Sequence, residues 1–140
     1  MLDKNAVMTN IKTVLDADST MDTLLSVVPG TSKVVLGANV PGTAALPLVN
    51  LVDMPDNVED ISSGWTRFIL GVVVRTANTS GNQINYEAHQ NIGSRIHALL
   101  NGQNISGTRG ACYQGSLGVT PDLEIDSVSL IQYRYLILGL

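Results

Sequence analysis

The stretch 80–102 constrains the fold more than any other, because it contains an amphipathic helix with a recognisable start and stop. Its apolar residues recur at helical spacing and form one stripe. The members of the stripe are Ile84, Ala88, Ile92, Ile96, Leu99 and Leu100. A helix with one apolar stripe must lie against a partner. Apolar runs at 68–74 and 128–138 predict that this partner is a β-sheet.

The ends of this helix follow from its capping residues. Ser80 and Asn82 are equally good N-caps, and Asn101-Gly102 supplies a left-handed stop. Gly93 lies in the helix interior, where it costs about 1 kcal/mol relative to alanine. That cost predicts a close backbone contact at Gly93.

The remaining pattern predicts an α+β domain. A helix with a bent continuation precedes a short strand at 33–36, and further strands follow at 46–52, 65–76 and 127–138. The Gly-rich segment 111–119 fits either a strand or an ordered loop. Pro47 near a strand start predicts a sheet edge. Short connections favour antiparallel pairing, which predicts a mainly antiparallel sheet of about four strands with two helices packed on one face.

The strand at 65–76 has two different faces. Phe68, Leu70, Val72 and Val74 point one way, and Arg67, Ile69, Gly71, Val73 and Arg75 point the other way. In the last strand, Gln132 and Arg134 alternate with Ile131, Tyr133 and Tyr135. A face that is half apolar and half cationic is typical of a surface on which another subunit packs.

The composition limits the possible functions. With 140 residues the chain is expected to form one domain, residues 1–140. Only 14% of its residues are charged, which fits either a surface partly covered by other chains or a merely polar surface. The net charge is −4 and the eight basic residues are scattered singly, so direct nucleic-acid binding is not expected.

No motif predicts a catalytic, cofactor or metal site. The glycines of segment 102–109 have phosphate-loop spacing but lack the Lys-Ser/Thr pair. His89 and His97 are separated by about 12 Å of helical rise, too far to share one metal ion. Cys112 has no cysteine partner. The acidic segment 122–126 leaves open one alternative of a different class, a small metal-dependent ligand-binding domain or enzyme.

The beginning of the chain lacks the apolar region of a signal peptide, and no apolar run approaches the ~20 residues of a membrane span. We therefore expect a cytoplasmic protein without a membrane partner.

Several segments together resemble the tail terminator or tail-completion proteins of long-tailed bacteriophages. The resembling segments are an opening helix that runs into 15–25, a Pro-led strand at 47–51, the strand at 68–75, the helix end at 92–100 and the Tyr-Arg-Tyr strand at 133–135. The resemblance covers most of the chain and implies a single tail-terminator-like domain.

The resemblance implies a virion structural protein, assembled in the host cytoplasm, with no enzymatic activity and no cofactor. Such a protein forms a ring, usually of six copies, at the end of the tail tube. The ring stops tube polymerisation and joins the tail to neck or head-completion proteins. Another head-tail connector, neck or minor tail protein is the alternative within this class.

Ring closure requires a heterologous interface, in which one patch meets a different patch on the next copy. The strand patterns suggest Arg67, Ile69, Val73, Arg75 and Arg134 as one patch. The acidic segment that follows the strand at 46–52 supplies Asp53, Asp56, Glu59 and Asp60 as a complementary set for Arg67 and Arg75.

Overall fold

Three helices and five strands make up the part of the chain that the structure, a computed structural model, describes. This part comprises residues 4–28, 30–37, 46–54, 65–79, 83–103, 105, 108–122 and 126–138. The elements in chain order are α1 (Lys4–Asp16), α2 (Ser19–Leu24), β1 (Val34–Leu36), β2 (Leu48–Met54), β3 (Trp65–Ala77), α3 (Tyr86–Leu100), β4 (Thr108–Asp122) and β5 (Asp126–Leu138).

The five described strands form one sheet in the order β1-β2-β3-β5-β4. β1 runs parallel to β2, and the other three neighbouring pairs are antiparallel. The predicted α+β class and the mainly antiparallel sheet are therefore confirmed. The structure adds a third helix, α2, and a fifth strand, because the Gly-rich segment around 111–119 belongs to the 15-residue strand β4.

The prediction that Pro47 marks a sheet edge is wrong. Pro47 directly precedes β2, which lies between β1 and β3. Its missing N–H therefore interrupts no ladder hydrogen bond within β2. On the β1 side the ladder begins at the next residue but one, where Val49 N donates to Lys33 O at 3.0 Å.

The core lies on one side of the sheet, between its strands and the helices. Residues of alternate positions along the strands contribute to it, as the period of two in β3 predicts. The fully buried strand side chains of this core include Val49, Leu51, Phe68, Leu70, Val72, Val74, Tyr133 and Tyr135. From the helices come Val7, Ile11, Leu15, Met21, Ile92, Ile96 and Leu100.

Asp18 fixes the junction between the helices. Its carboxylate caps α2 by accepting a hydrogen bond from Met21 N at 2.9 Å, and it accepts two further hydrogen bonds from the guanidinium of Arg95 on α3. The hydrogen bonds from Arg95 hold the pKa of Asp18 below its usual value. The Asp18 side chain therefore both caps α2 and connects the junction between α1 and α2 to α3.

The helix α3 begins later than the sequence predicts. Asn85 is its N-cap, with Oδ1 accepting from Ala88 N at 3.1 Å, whereas Ser80 and Asn82 lie outside the described residues. Ile84 comes before the helix, between Gln83, which forms an isolated bridge with Thr79, and the N-cap Asn85. The other members of the predicted stripe lie in α3, and Ile92, Ile96 and Leu100 are buried.

The glycine positions of α3 give one confirmed and one wrong prediction. Gly102 has φ +73°, which confirms the left-handed stop. At Gly93 a Cβ atom would meet Cδ1 of Ile131 at 3.4 Å and make ordinary van der Waals contact. The close approach expected at Gly93 is therefore absent from the described surroundings of this residue.

Candidate interaction surface

The side of the sheet that faces away from the helices is only partly closed. Its central residues come from β3 and β5, and none of them belongs to the buried core. The cross-strand register places Ile69 opposite Arg134 and Val73 opposite Leu130. We call this surface the outer face, and its half-buried residues on β3 and β5 include Ile69, Val73, Arg75, Leu130, Gln132 and Arg134.

Four of the residues predicted for the interface lie together on the outer face: Ile69, Val73, Arg75 and Arg134. They do so because strand alternation sends their core-facing neighbours toward the helices. Arg67 also belongs to β3, opposite Leu136 in the register, but its side chain lies outside the described part.

The predicted acidic set is only partly described. Asp53 is exposed near the end of β2, where it pairs with the core residue Leu70. Its position in the strand therefore places it on the helix side of the sheet and not on the outer face. Asp56, Glu59 and Asp60 lie outside the described residues. Whether this set meets Arg67 and Arg75 on another copy stays a prediction.

Arg134 is the most informative residue of the outer face. Its backbone is paired on both sides, with Ile69 of β3 and with Cys112 of β4. Its Nε atom is shut off from solvent, and no described residue accepts a hydrogen bond from it. A buried donor without an acceptor costs ~1–3 kcal/mol.

On the opposite side of the sheet, His89 joins α3 to the strands β3 and β5. The residue is 5% exposed. Its Nε2 lies 2.9 Å from both Thr76 Oγ1 and Ser127 Oγ, and its Nδ1 lies 2.9 Å from Ser129 Oγ. Burial lowers the pKa of His89, since it disfavours the charged form. The arrangement holds a neutral histidine by three hydroxyl groups.

A groove follows the other flank of α3, between this helix and β4. Gly93, Ser94 and Ser116 line it along most of its length, and at one end the rings of His97 and Tyr113 meet edge to face with centroids 5.2 Å apart. Tyr133 lies below them with its hydroxyl 3.1 Å from His97 Nδ1. Burial, followed by the effect of Tyr113, raises the pKa of Tyr133 to about 12.

The described side chains assemble no recognisable reaction centre. Within the described ranges, no three His, Cys, Asp or Glu side chains come together in a way that could hold a metal ion. Of the acidic segment proposed for a metal-dependent activity, Glu124 and the side chains of Asp122 and Asp126 lie outside the described part. No helix in the described ranges is both long and apolar enough to cross a membrane.

Sequence reasoning excluded a metal ion shared by His89 and His97 but missed the burial of His89. A signal was present, because His89 precedes Ile92 by three residues and Ile96 by seven, which is the spacing of the apolar stripe. The crevice between α2 and α3 that contains Glu87 was also missed. Nothing in the local sequence marks that crevice, since its two walls come from helices far apart in the chain.

Comparisons with solved structures show that this fold occurs elsewhere. The chain is similar to a protein chain from the virion of a native gene transfer agent particle, with a TM-score of 0.72, 18% sequence identity and coverage of 96% of each chain. A second solved chain is similar with a TM-score of 0.59 and 13% identity over 97% of this chain and 94% of that one. No protein family and no curated protein matches the sequence.

Proposed function

We propose that the chain is a structural protein of a phage-like virion, with a role in assembly and no enzymatic activity. The similarity to a chain from a gene transfer agent virion supports this proposal, because it extends over nearly the whole length of both chains. The outer face supports it as well, since an assembly protein needs a surface on which another chain can pack.

Within this class, the finer proposal is a tail terminator. Several copies, six in the proposed ring, close on the end of the tail tube, stop its polymerisation and present a surface to neck or head-completion proteins. The resemblance of several sequence segments to tail terminators favours this member of the class, and the observation that carries an assembly role is the outer face, where half-buried Ile69 lies opposite Arg134 and half-buried Val73 lies opposite Leu130. Such a mixture of apolar and guanidinium groups is typical of protein interfaces.

A different connector, neck or minor tail protein is the alternative in the same class. Both kinds of protein need an exposed assembly surface, so the outer face supports either. They differ in what they do to a growing tail tube, since only a terminator limits its length.

The first experiment is the native mass of the purified full-length chain by light scattering, with electron micrographs of the same peak. Six copies of a 14.9 kDa chain give about 89 kDa. Rings of that mass support the terminator proposal. If the chain is monomeric, it is added to polymerising tail tubes, because a ring can also close on its tube. Tubes of unchanged length would reject the terminator function.

A test specific to the outer face reverses its cationic charges. If Arg67 and Arg75 meet the carboxylates of Asp53, Asp56, Glu59 and Asp60 on the next copy, Arg67→Glu with Arg75→Glu weakens ring formation. Assembly that is unchanged by this double substitution would reject that pairing while leaving the ring itself possible.

A further inference from the structure

Four large apolar side chains of the described residues are exposed, and they form two pairs at different places. Val28 is 65% exposed and Leu36 is 37% exposed. Tyr86 is 63% exposed and Tyr113 is 43% exposed. Apolar surface gains free energy when it leaves water, so each pair is suited to contact with another chain.

Val28 and Leu36 lie at the β1 edge of the sheet. β1 is the first strand in the sheet order, and Leu36 is its last residue. Leu36 pairs with the core residue Leu51, so it lies on the helix side of the sheet. Val28 belongs to the turn between α2 and β1, where its carbonyl accepts a hydrogen bond from Thr31 N at 3.1 Å. We call Val28 and Leu36 the aliphatic edge.

Three charged side chains beside the aliphatic edge are engaged within the chain. Lys33 Nζ donates to the carbonyl of Leu25 at 2.6 Å. Lys12 and Asp16 of α1 pair with each other at 2.7 Å, and both are hydrogen-bonded to the hydroxyl of Ser32. A neighbour that covers the aliphatic edge therefore needs no charge of its own to compensate these three.

Tyr86 and Tyr113 lie at the two ends of the groove between α3 and β4. The groove consists of two adjoining cavities of about 400 and 370 Å³, which share Gly93, Ser94 and Ser116. From residue 86 to residue 97 it follows α3 over about 16 Å of helical rise. No Asp, Glu, Lys or Arg occurs among the described residues that line it. Since β4 is the last strand in the sheet order, this uncharged groove lies at the edge opposite β1.

Gly93 keeps the middle of the groove open. A Cβ atom at this position would meet Cδ1 of Ile131 at 3.4 Å, so a larger side chain would enter the groove. Glycine is unfavourable in a helix interior, and no close backbone contact among the described residues offsets its cost here. An apolar side chain inserted from another chain would make use of the space that the glycine leaves.

We propose that the aliphatic edge of one copy docks into the α3–β4 groove of the next copy. This inference rests on the proposed function, since it specifies one contact of the proposed ring. Each chain carries both parts of the contact, at opposite edges of one sheet and both on its helix side. Every copy can therefore use both parts at once, and the contact is heterologous, as ring closure requires. Tyrosine and aliphatic side chains without charge are typical of the central part of a protein interface.

The test adds one carboxylate to each part of the contact in the full-length chain, with the variants Val28→Glu and Ser94→Glu. Both positions are exposed in the single chain, so both variants should fold. In the contact, each new carboxylate would be buried without a partner. We therefore expect the apparent dissociation constant of self-association to rise about tenfold or more. Sedimentation velocity over a concentration series measures the effect.

An equimolar mixture of the two variants gives a result specific to a heterologous contact. The Val28→Glu copy retains an intact groove, and the Ser94→Glu copy retains an intact aliphatic edge. One contact can therefore form between them, while the other groove and the other aliphatic edge are blocked. The mixture should stop at two copies of the 14.9 kDa chain, about 30 kDa, at concentrations where each variant alone is monomeric.

Ala98→Glu is the matched control. Ala98 is exposed on the same helix as Ser94 but does not line the groove, so the same added charge should leave association unchanged. Melting temperatures of all variants, measured at concentrations where the chain is monomeric, show whether each variant is folded. A variant that fails to fold is replaced by Val28→Ser or Ser94→Gln, for which a smaller loss of association is expected.

Several outcomes would overturn the contact. Single variants that associate like the wild-type chain would do so and would leave the groove to a segment of a different protein. A mixture that stays monomeric, a mixture that grows beyond two copies, or a wild-type chain that is monomeric at every concentration would also overturn it.

The length of tail tubes grown with the wild-type chain tests the terminator function independently. A chain that limits tube length while its Val28→Glu variant associates normally keeps the function and loses the contact. A mixture that stops at about 30 kDa, together with tubes of unchanged length, keeps the contact and loses the terminator function.

Discussion

At the scale of single residues, Gly71 is closely packed on the outer side of the sheet. Gly71 lies on the outer side of β3, between Ile69 and Val73 in the strand alternation. A Cβ atom at this position would lie 2.7 Å from Cγ2 of Val52 and 2.8 Å from Sδ of Met54. The Met54 side chain can move, but the short branched chain of Val52, directly opposite in the register, cannot easily do so. Gly71 therefore lets β2 side chains cover the centre of β3.

Gly71→Ala is expected to destabilise the chain by about 1–3 kcal/mol, because the added methyl group overpacks this site. The free energy of unfolding from urea titrations measures the effect. Gly118→Ala is the control, since a Cβ atom at Gly118 meets nothing within 4 Å. Equal stability of the two variants would contradict this tight packing at Gly71.

His89 predicts a dependence of stability on pH. Its pKa is lowered in the folded state, so the unfolded chain binds a proton more readily. The contribution of His89 is therefore fully present above the unfolded pKa of about 6.5 and is lost as the pH falls toward the folded value. We expect the melting temperature to drop as the pH is lowered below about 6.5.

The control for this prediction is His89→Gln, which removes the titrating group. The variant should be less stable at neutral pH and should lose the part of the pH dependence that lies below about 6.5. A pH profile of the His89 variant that matches the wild-type profile would show that another group is responsible.

Residue-scale features were predictable where they depend on strand alternation alone. The alternation in β3 correctly separated Phe68 and Leu70 from Ile69 and Val73. The environment of His89 was not predictable, because its hydroxyl partners come from β3 and β5, 13 to 40 residues away in the chain. Only the tertiary fold brings these groups to one place.

At the scale of secondary structure, α3 packs against other elements on one flank and borders an open groove on the other. Gly93 lines that groove, and the atom nearest to a Cβ added at this position would be Cδ1 of Ile131, at 3.4 Å. The cost of glycine in a helix interior is thus not offset by a close backbone contact among the described residues.

Gly93→Ala should therefore stabilise the chain by about 0.5–1 kcal/mol, since alanine restricts the unfolded state and fits the available space. Thermal unfolding followed by circular dichroism measures the gain. Gly102→Ala serves as the opposite control, because Gly102 has a positive φ of 73° and alanine is strained there. Destabilisation by Gly93→Ala would show that the groove is too narrow for the added methyl group.

The order of elements was largely predictable, and the order of strands within the sheet was not. Hydrophobic periodicity indicated the main helix and the central strands, but β1 has only three residues, too few to show a period. Its parallel pairing with β2 turned a predicted edge into an inner strand. The predicted start of α3 was wrong because two other residues that are good N-caps, Ser80 and Asn82, precede Asn85. The local sequence does not decide among these candidates.

At the scale of the whole molecule, the sheet separates a closed side from a side available for assembly. Val72 and Val73 are adjacent in β3, yet Val72 is 0% exposed in the core while Val73 is half-buried on the outer face. This pair of neighbours allows folding and assembly to be perturbed separately.

Val73→Asp should reduce the native mass of the proposed assembly while lowering the melting temperature of the monomer only slightly, because the new carboxylate can reach water in the free chain. Val72→Asp should instead prevent stable folding, since it buries a charge in the core. Light scattering and thermal unfolding of both variants measure the difference. A Val73→Asp variant with wild-type native mass would remove the outer face from the interface.

The last strand in the sheet order, β4, has a consequence for behaviour at high protein concentration. It is 15 residues long, it lies at the edge of the described sheet, and its pairing with β5 is shifted at three places along its length. Such bulges bend and twist an edge so that a straight strand from another molecule cannot align with it, and long regular edges are where amyloid-like stacking begins. We therefore expect that the irregular β4 disfavours fibril growth in concentrated solutions of the chain.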